Sequence, residues 1–311
     1  MAVLLCLCFG CNRARNIEIA HTDTPVATPL PTATPSPAPT PTPTPVPTPS
    51  GLCGWRFDVF TEGEVIQTED SYQSKDIAVF FREVSEEKSA LSDRPLVYYV
   101  ADIYVQNIED LRSALSRGAI KTTEPMRGLA QSVDALIAIA GDFSAHRKTG
   151  LCVRDGITYR STFDTALDVG VLTKDGVLEI YEAGAYTAEH IAAREPWQVW
   201  TFGPNLLDEG GKAQEKFDSA IARRNPRAVL GYYEPGHYCF VLVRGRVKAS
   251  KGLTLAQLSQ LMEQLGCVSA FNLDGGQTAQ LYWDGKLYKA SNSARQVNDI
   301  VYLPLAASSG Q

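Results

Sequence analysis

The sequence predicts an α+β fold: a mixed, largely antiparallel β-sheet core with flanking helices, in a single domain after a disordered Pro/Thr linker. Three observations predict it. Short runs rich in β-branched and aromatic residues recur along the chain, punctuated by turn pairs such as Asp155-Gly156, Asp175-Gly176 and Asp284-Gly285. Few windows carry helical spacing of apolar residues. Residues 24–50 alternate Pro with Thr, Ala, Ser and Val, carry no charge and cannot bury a core. The chain therefore divides into a signal-like N-terminus (1–23), a linker (24–50) and one globular domain (51–311).

Of 311 residues, 44% are hydrophobic, which is ample for a core. The net charge of −6 and the lack of any long Lys/Arg run argue against a nucleic-acid partner. The seven cysteines are unevenly placed, and Cys8 to Cys11 is the only Cys-x-x-Cys spacing. With no second pair, a cysteine zinc site is not expected. One or two disulfides are compatible with an oxidising compartment, and Cys239 and Cys267 read as small core residues.

Taken in order, Met1 to Gly10 is apolar and ends at Cys11, resembling the tail of a lipoprotein signal with Cys11 as the lipidation point. The match departs from the pattern in lacking a positive segment and in having Cys8 within the apolar run. The Thr-Pro segment that follows favours extended polyproline II at roughly 3 Å per residue, a semi-rigid spacer. Export and a lipid-anchored envelope location are the expectation. In the globular part, residues 77–81, 96–105, 136–140, 198–202, 228–232, 238–244, 280–283 and 300–303 read as strands. Residues 151–160 and 171–181 read as hairpins. Helices are expected from Asn107 to Arg117, from Thr187 to Arg194 and over 213–224. A further helix opens at the capping box Thr254-Leu-Ala-Gln257 and stops at Gly266.

The apolar run 268–273 ends abruptly at Asp274-Gly275-Gly276, with Thr278 following. A carboxylate at the mouth of a buried strand, beside glycines able to form an anion-binding nest, is a place for chemistry. Three other strand boundaries carry polar groups beside Gly or Pro: Gly141-Asp142, Gly203-Pro204-Asn205 and Pro226-Arg227. Their convergence on one sheet edge would make a site. Arg147 and Arg154 read equally well as solvated loop charges.

Several segments resemble the phosphodiester glycosidase family, which also holds the uncovering enzyme of lysosomal targeting. They include Ser-Lys-Gly-Leu-Thr-Leu (250–255), Phe-Asn-Leu-Asp-Gly-Gly (271–276), Ala140-Gly141-Asp142-Phe143, Val153-Arg154-Asp155-Gly156, Asn225-Pro226-Arg227 and Asn298-Asp299-Ile300. The resemblance covers about residues 76–303 in the family's order. It implies hydrolysis of a sugar-1-phosphodiester at the glycosidic bond. Asp274 and Asp142 are then the catalytic carboxylates, with acid, base and nucleophile unassigned between them. Arg227 and Arg295 are the phosphate ligands, with Gly275, Gly276, Thr278, Asn205 and Arg154 as further substrate contacts. No cofactor is expected, and a divalent metal is left open.

The sequence departs from the family pattern at Ala140, at Gln277-Thr278-Ala279 and at Ala228, where a hydroxyl that could touch phosphate is absent. The expected substrate is a glycan phosphodiester of the cell envelope or an exopolysaccharide. The alternatives are a glycan-binding module of the same fold and a metal-dependent phosphodiesterase using Asp142 and Asp274 as ligands.

Overall fold

The structure is a computed structural model describing residues 51–53 and 58–305. The signal-like segment, Cys11 and the Pro/Thr spacer lie outside the described residues. In chain order the first strands are β1 (Ile66–Gln67), β2 (Ser71–Gln73), β3 (Ile77–Glu86), β4 (Leu96–Val105), β5 (Arg112–Leu115) and β6 (Ala135–Ala140). Next come β7 (Cys152–Arg154), β8 (Ile157–Arg160), β9 (Asp168–Thr173), β10 (Leu178–Tyr181) and β11 (Pro196–Phe202). The last are β12 (Arg227–Glu234), β13 (His237–Val243), β14 (Ser269–Asn272), β15 (Gln280–Trp283), β16 (Lys286–Lys289) and β17 (Asp299–Pro304). The helices are α1 (Met126–Ser132), α2 (Ala188–Ala193) and α3 (Leu255–Gln264).

The strands form three sheets, and every pairing within them is antiparallel. One is seven-stranded, ordered β1-β2-β3-β4-β13-β12-β14; two are five-stranded, β10-β9-β11-β7-β8 and β16-β15-β6-β17-β5. One face of the large sheet, with Phe81, Ala101, Phe240 and Phe271, packs against both smaller sheets through Trp200, Leu172, Ile139, Leu281 and Val301. Its other face, with Val100, Val229 and Val241, is covered by Leu255, Leu258, Leu261 and Met262 of α3. α1 covers the outer face of one small sheet and α2 that of the other. Central strands such as β4 are thus buried on both faces, which is why they read as unbroken apolar runs.

Asp155 (φ 50°) and Gly156 (φ 74°) turn β7 into β8, and Asp284 (φ 43°) and Gly285 (φ 76°) turn β15 into β16. Both are the two-residue left-handed turns that Asp-Gly favours. Thr254 and Gln257 form the capping box of α3, and Thr187 caps α2. Two expected helices are absent. Asn107 caps only a single 3₁₀ turn; the chain then extends as β5, because pairing with β17 overrides local helical spacing. Residues 213–224 form no helix. Their backbone is taken by tertiary partners: Gln214 N–H donates to the Ser259 hydroxyl, and the Ile221 and Arg223 carbonyls accept from Arg227. Cys152, Cys239 and Cys267 are buried free thiols, and Cys53 is buried as well. Among the described residues no helix is long and apolar enough to cross a membrane.

Candidate active site

The ends of strands from all three sheets meet at Asp274, two residues past β14. The Asp274 N–H donates to the Gly141 carbonyl after β6 (3.0 Å), and the Leu273 N–H to Ala228 of β12 (2.9 Å). The Asn272 side chain donates to the Gly203 carbonyl after β11 (2.8 Å). These bonds hold Asp274 where the sheets converge. Gly275 passes so close to β12 that a Cβ would lie 2.9 Å from the Pro226 carbonyl oxygen. Gly276 follows at φ 65°, so the turn requires glycine at both positions.

Asp274 lies on the wall shared by two chambers. The smaller, about 200 Å³, is lined by Arg227, Arg246, Arg295, Gly275, Gly276 and Gln277 among others. The larger, about 520 Å³, includes Phe143, Arg147, Asp168, Phe202 and Arg295. Burial pushes the Asp274 carboxyl up to about 7, and Asp142 adds to the rise, while Thr278, Arg295 and Arg147 pull the other way. The Thr278 hydroxyl favours the ionised form of Asp274 by proximity but does not reach hydrogen-bond geometry.

Arg227 is 1% exposed and opens β12. Its Nε donates to the Leu253 carbonyl (3.2 Å) and its Nη2 to those of Ile221 and Arg223 (both 2.7 Å). It has no carboxylate partner among the described residues. Burial and Arg246 lower its pKa to about 10, so it remains a cation at neutral pH. Arg246 is steadied by the Asn225 side-chain oxygen. The small chamber thus gathers three guanidinium groups around one carboxylate.

Asp142 does not face either chamber. It is 1% exposed, and its carboxylate accepts from the Ser144 N–H (2.9 Å) and Thr201 N–H (3.3 Å) and pairs with Arg154 (3.0 Å). The sequence expectation of a second catalytic carboxylate or metal ligand falls on this residue, and the structure places its carboxylate in a buried ion pair that lines neither chamber. Arg154, expected as a substrate contact or a solvated loop charge, lines neither chamber and is no solvated charge. It is 2% exposed, bridges Asp142 and Asp299 (2.7 Å), and lies 5.8 Å from the Trp200 ring. Burial opposes its charge, but Cys152, Asp299 and Asp142 outweigh it and hold it charged. Asp299, which opens β17, is raised by burial; it also accepts from the Asp142 N–H (3.0 Å). A Cβ on Gly141 would strike this carboxylate, which explains the Ala-Gly-Asp sequence at the end of β6.

Asn205 spends its side-chain oxygen on the Leu207 N–H (3.3 Å) and lines neither chamber. The glycine turn is not an array of free donors, because the Gly276 N–H goes to the Pro226 carbonyl (3.0 Å). Ala228 is fully buried in the main core, so a hydroxyl there would not touch phosphate. Gln277 is exposed on the small chamber, and its amide donates to the Ser293 hydroxyl (2.8 Å). Sequence reasoning missed Arg246, Arg147 and Asp299. Only Asp299 carried a signal, as part of the Asn298-Asp299-Ile300 resemblance.

A family profile described as phosphodiester glycosidase matches residues 134–303. The SPbeta prophage-derived uncharacterized protein YomE of Bacillus subtilis (strain 168) is 27% identical over 171 residues, covering 52% of this chain. The chain spans about a quarter of that relative, 26% of its length. The catalytic domain of zebrafish N-acetylglucosamine-1-phosphodiester alpha-N-acetylglucosaminidase, auto-inhibited by its pro-peptide, superposes with a TM-score of 0.60 at 16% identity, covering 78% of this chain and 88% of that one. A hypothetical protein from Synechocystis superposes at 0.52, also at 16% identity, covering 74% and 62%. At these identities the structural likenesses establish the fold, and the profile over more than half the sequence establishes descent: the chain belongs to the phosphodiester glycosidase family.

Proposed function

We propose that the chain hydrolyses the glycosidic bond of a sugar-1-phosphodiester, with Asp274 at the anomeric carbon and the phosphate in the chamber of three arginines. The observation that carries this reading is the pairing of one chamber-facing carboxylate with Arg227, Arg246 and Arg295. A phosphodiester carries one negative charge, whereas the departing monoester gains a second as the bond breaks. Fixed guanidinium groups therefore bind the transition state more tightly than the ground state. A phosphate leaves without protonation, so the second carboxylate that ordinary glycosidases use as general acid is dispensable. The working form of Asp274 is the carboxylate, which attacks C1 or takes a proton from water; the anomeric configuration of the product distinguishes the two.

The substrate class that fits the N-terminal signal-like sequence is a glycan phosphodiester of the cell envelope, reached from a lipid at Cys11 across the Pro/Thr spacer. Replacement of Cys11 by Ala should release the protein from the membrane fraction; unchanged membrane retention contradicts the anchor. The activity is tested with a sugar-1-phosphodiester analogue, following release of free sugar by wild type and Asp274→Asn. Turnover lost in the variant supports the assignment. Equal binding by both proteins without turnover points instead to a glycan-binding module.

A further inference from the structure

The basic lining of the small chamber does not end at its mouth. Asn225 and Arg246 line that chamber but not the larger one, so what continues from them lies on the phosphate side of Asp274. Arg246 Nη2 donates to the Asn225 side-chain oxygen. The neighbouring Arg224 donates through Nη1 to the Gly252 carbonyl (2.6 Å). The Lys251 N–H donates to the Pro95 carbonyl (3.1 Å), which sets Lys251 beside Arg94. Lys248 is exposed on the turn that the Val247 N–H closes against the Ser250 carbonyl (3.1 Å). Arg94, Arg246 and Lys251 are exposed as well, and Arg224 is half-buried.

None of these cations makes an ion pair with a described residue. Burial and the Arg94 charge lower the Arg224 pKa, as burial and Arg246 lower that of Arg227. The chain as a whole carries −6, so the cluster is a local feature and not a general excess of base. Like charges gathered without counter-charges repel one another, and an anion laid along them relieves the repulsion. Arg227, Arg246 and Arg295 already suffice for the one phosphate of the reaction, so the remaining cations face groups beyond it on the leaving-group side. The segments that carry them, 93–95, 222–227 and 244–252, contain no aromatic residue and offer no platform for stacked bases. None of the exposed large apolar side chains among the described residues lies in them, which leaves no wedge for a lipid surface.

We infer that the leaving phosphate belongs to a chain of repeated phosphodiesters, a polyol or glycan phosphate polymer, and that Arg94, Arg224, Arg246, Lys248 and Lys251 hold its next anionic groups. The inference rests on the reading of the small chamber as the phosphate site.

Calorimetric binding to the full chain tests it, with inorganic phosphate, a short glycerol phosphate oligomer, an oligothymidylate of equal charge and phosphatidylglycerol vesicles as probes. Wild type is compared with the triple variant Arg94→Gln/Lys248→Gln/Lys251→Gln, whose changes fall on exposed side chains outside both chambers; thermal melts check its fold. At low salt the oligomer should bind wild type at least about tenfold more tightly than inorganic phosphate. The triple variant should lose about tenfold or more of the oligomer affinity, with a salt slope shallower by roughly 2, and keep inorganic phosphate within about twofold. Equal affinity of wild type for oligomer and inorganic phosphate, equal weakening of both in the variant, binding of oligothymidylate or vesicles as tight as that of the oligomer, or no binding at all overturns the inference. Hydrolysis of a simple sugar-1-phosphodiester without preference for the oligomer keeps the proposed activity and removes the polymer site; preference for the oligomer without hydrolysis of any diester does the reverse.

Discussion

Replacing Asp274 by Asn should do two things of opposite sign. Burial holds the carboxyl at about 7, against the ordinary 3.8. Between those values the folded protein binds more protons than the unfolded chain, so stability falls as pH rises through that window. At about 1.36 kcal/mol per pH unit the full cost of ionising this group above pH 7 is on the order of 4 kcal/mol. Partial exposure and the neighbouring Arg295 and Arg147 reduce what an amide recovers to about 1–3 kcal/mol. Urea unfolding at pH 8 should therefore show Asp274→Asn to be more stable than wild type. At pH 5, about one unit above the unfolded value, roughly a third of the gain should remain, and it should vanish only below about pH 3.8. Catalysis runs the other way: sugar release should fall about 10²–10⁴-fold in the variant, and wild-type kcat/KM should rise with pH through about 7 as the carboxylate forms. A variant no more stable at pH 8 than at pH 5, relative to wild type, would refute the buried-carboxylate argument. A variant retaining ordinary turnover would refute the chemical role.

Three further perturbations follow from the geometry. Arg154→Met leaves Asp142 and Asp299 buried without their cation and should cost about 3–5 kcal/mol near neutral pH; the deficit should shrink as pH falls and Asp299, whose carboxyl is raised by burial, protonates, and denaturant melts across pH 5–8 read it. Arg227→Gln breaks the ties to Leu253, Ile221 and Arg223 and removes one phosphate cation; it should weaken inorganic phosphate binding about tenfold or more in calorimetry and make cleavage within 213–224 faster in limited proteolysis. Gly231→Ala places a methyl 2.5 Å from the Cys239 sulfur and 2.8 Å from that of Cys267; overpacking should cost about 1–3 kcal/mol in a thermal or urea melt.

Local chemistry made some of this legible and long-range contact hid the rest. Asp274-Gly275-Gly276 stood out because an apolar strand cannot continue through such a turn, and the Asp-Gly hairpins stood out because left-handed backbone favours those residues. Arg154 looked like a loop charge because one carboxylate partner, Asp299 of β17, is far away in sequence and the other, Asp142, sits on a different sheet at the end of β6. Asp142 shared the strand-end signature of Asp274, and only the packing of Arg154 beneath it shows that it faces inward. The segment 213–224 has helical spacing, but its carbonyls serve Arg227, a partner that no periodicity reveals. Arg147 and Arg246 gained meaning only when the sheets placed them on either side of Asp274.

The most direct test of the account is hydrolysis of a sugar-1-phosphodiester in ¹⁸O-labelled water, with both products analysed by mass spectrometry. Attack at C1, with the phosphate departing among Arg227, Arg246 and Arg295, puts the label in the sugar and none in the phosphomonoester. Label in the phosphomonoester would mean cleavage of the P–O bond and would contradict the placement of Asp274 at the anomeric carbon.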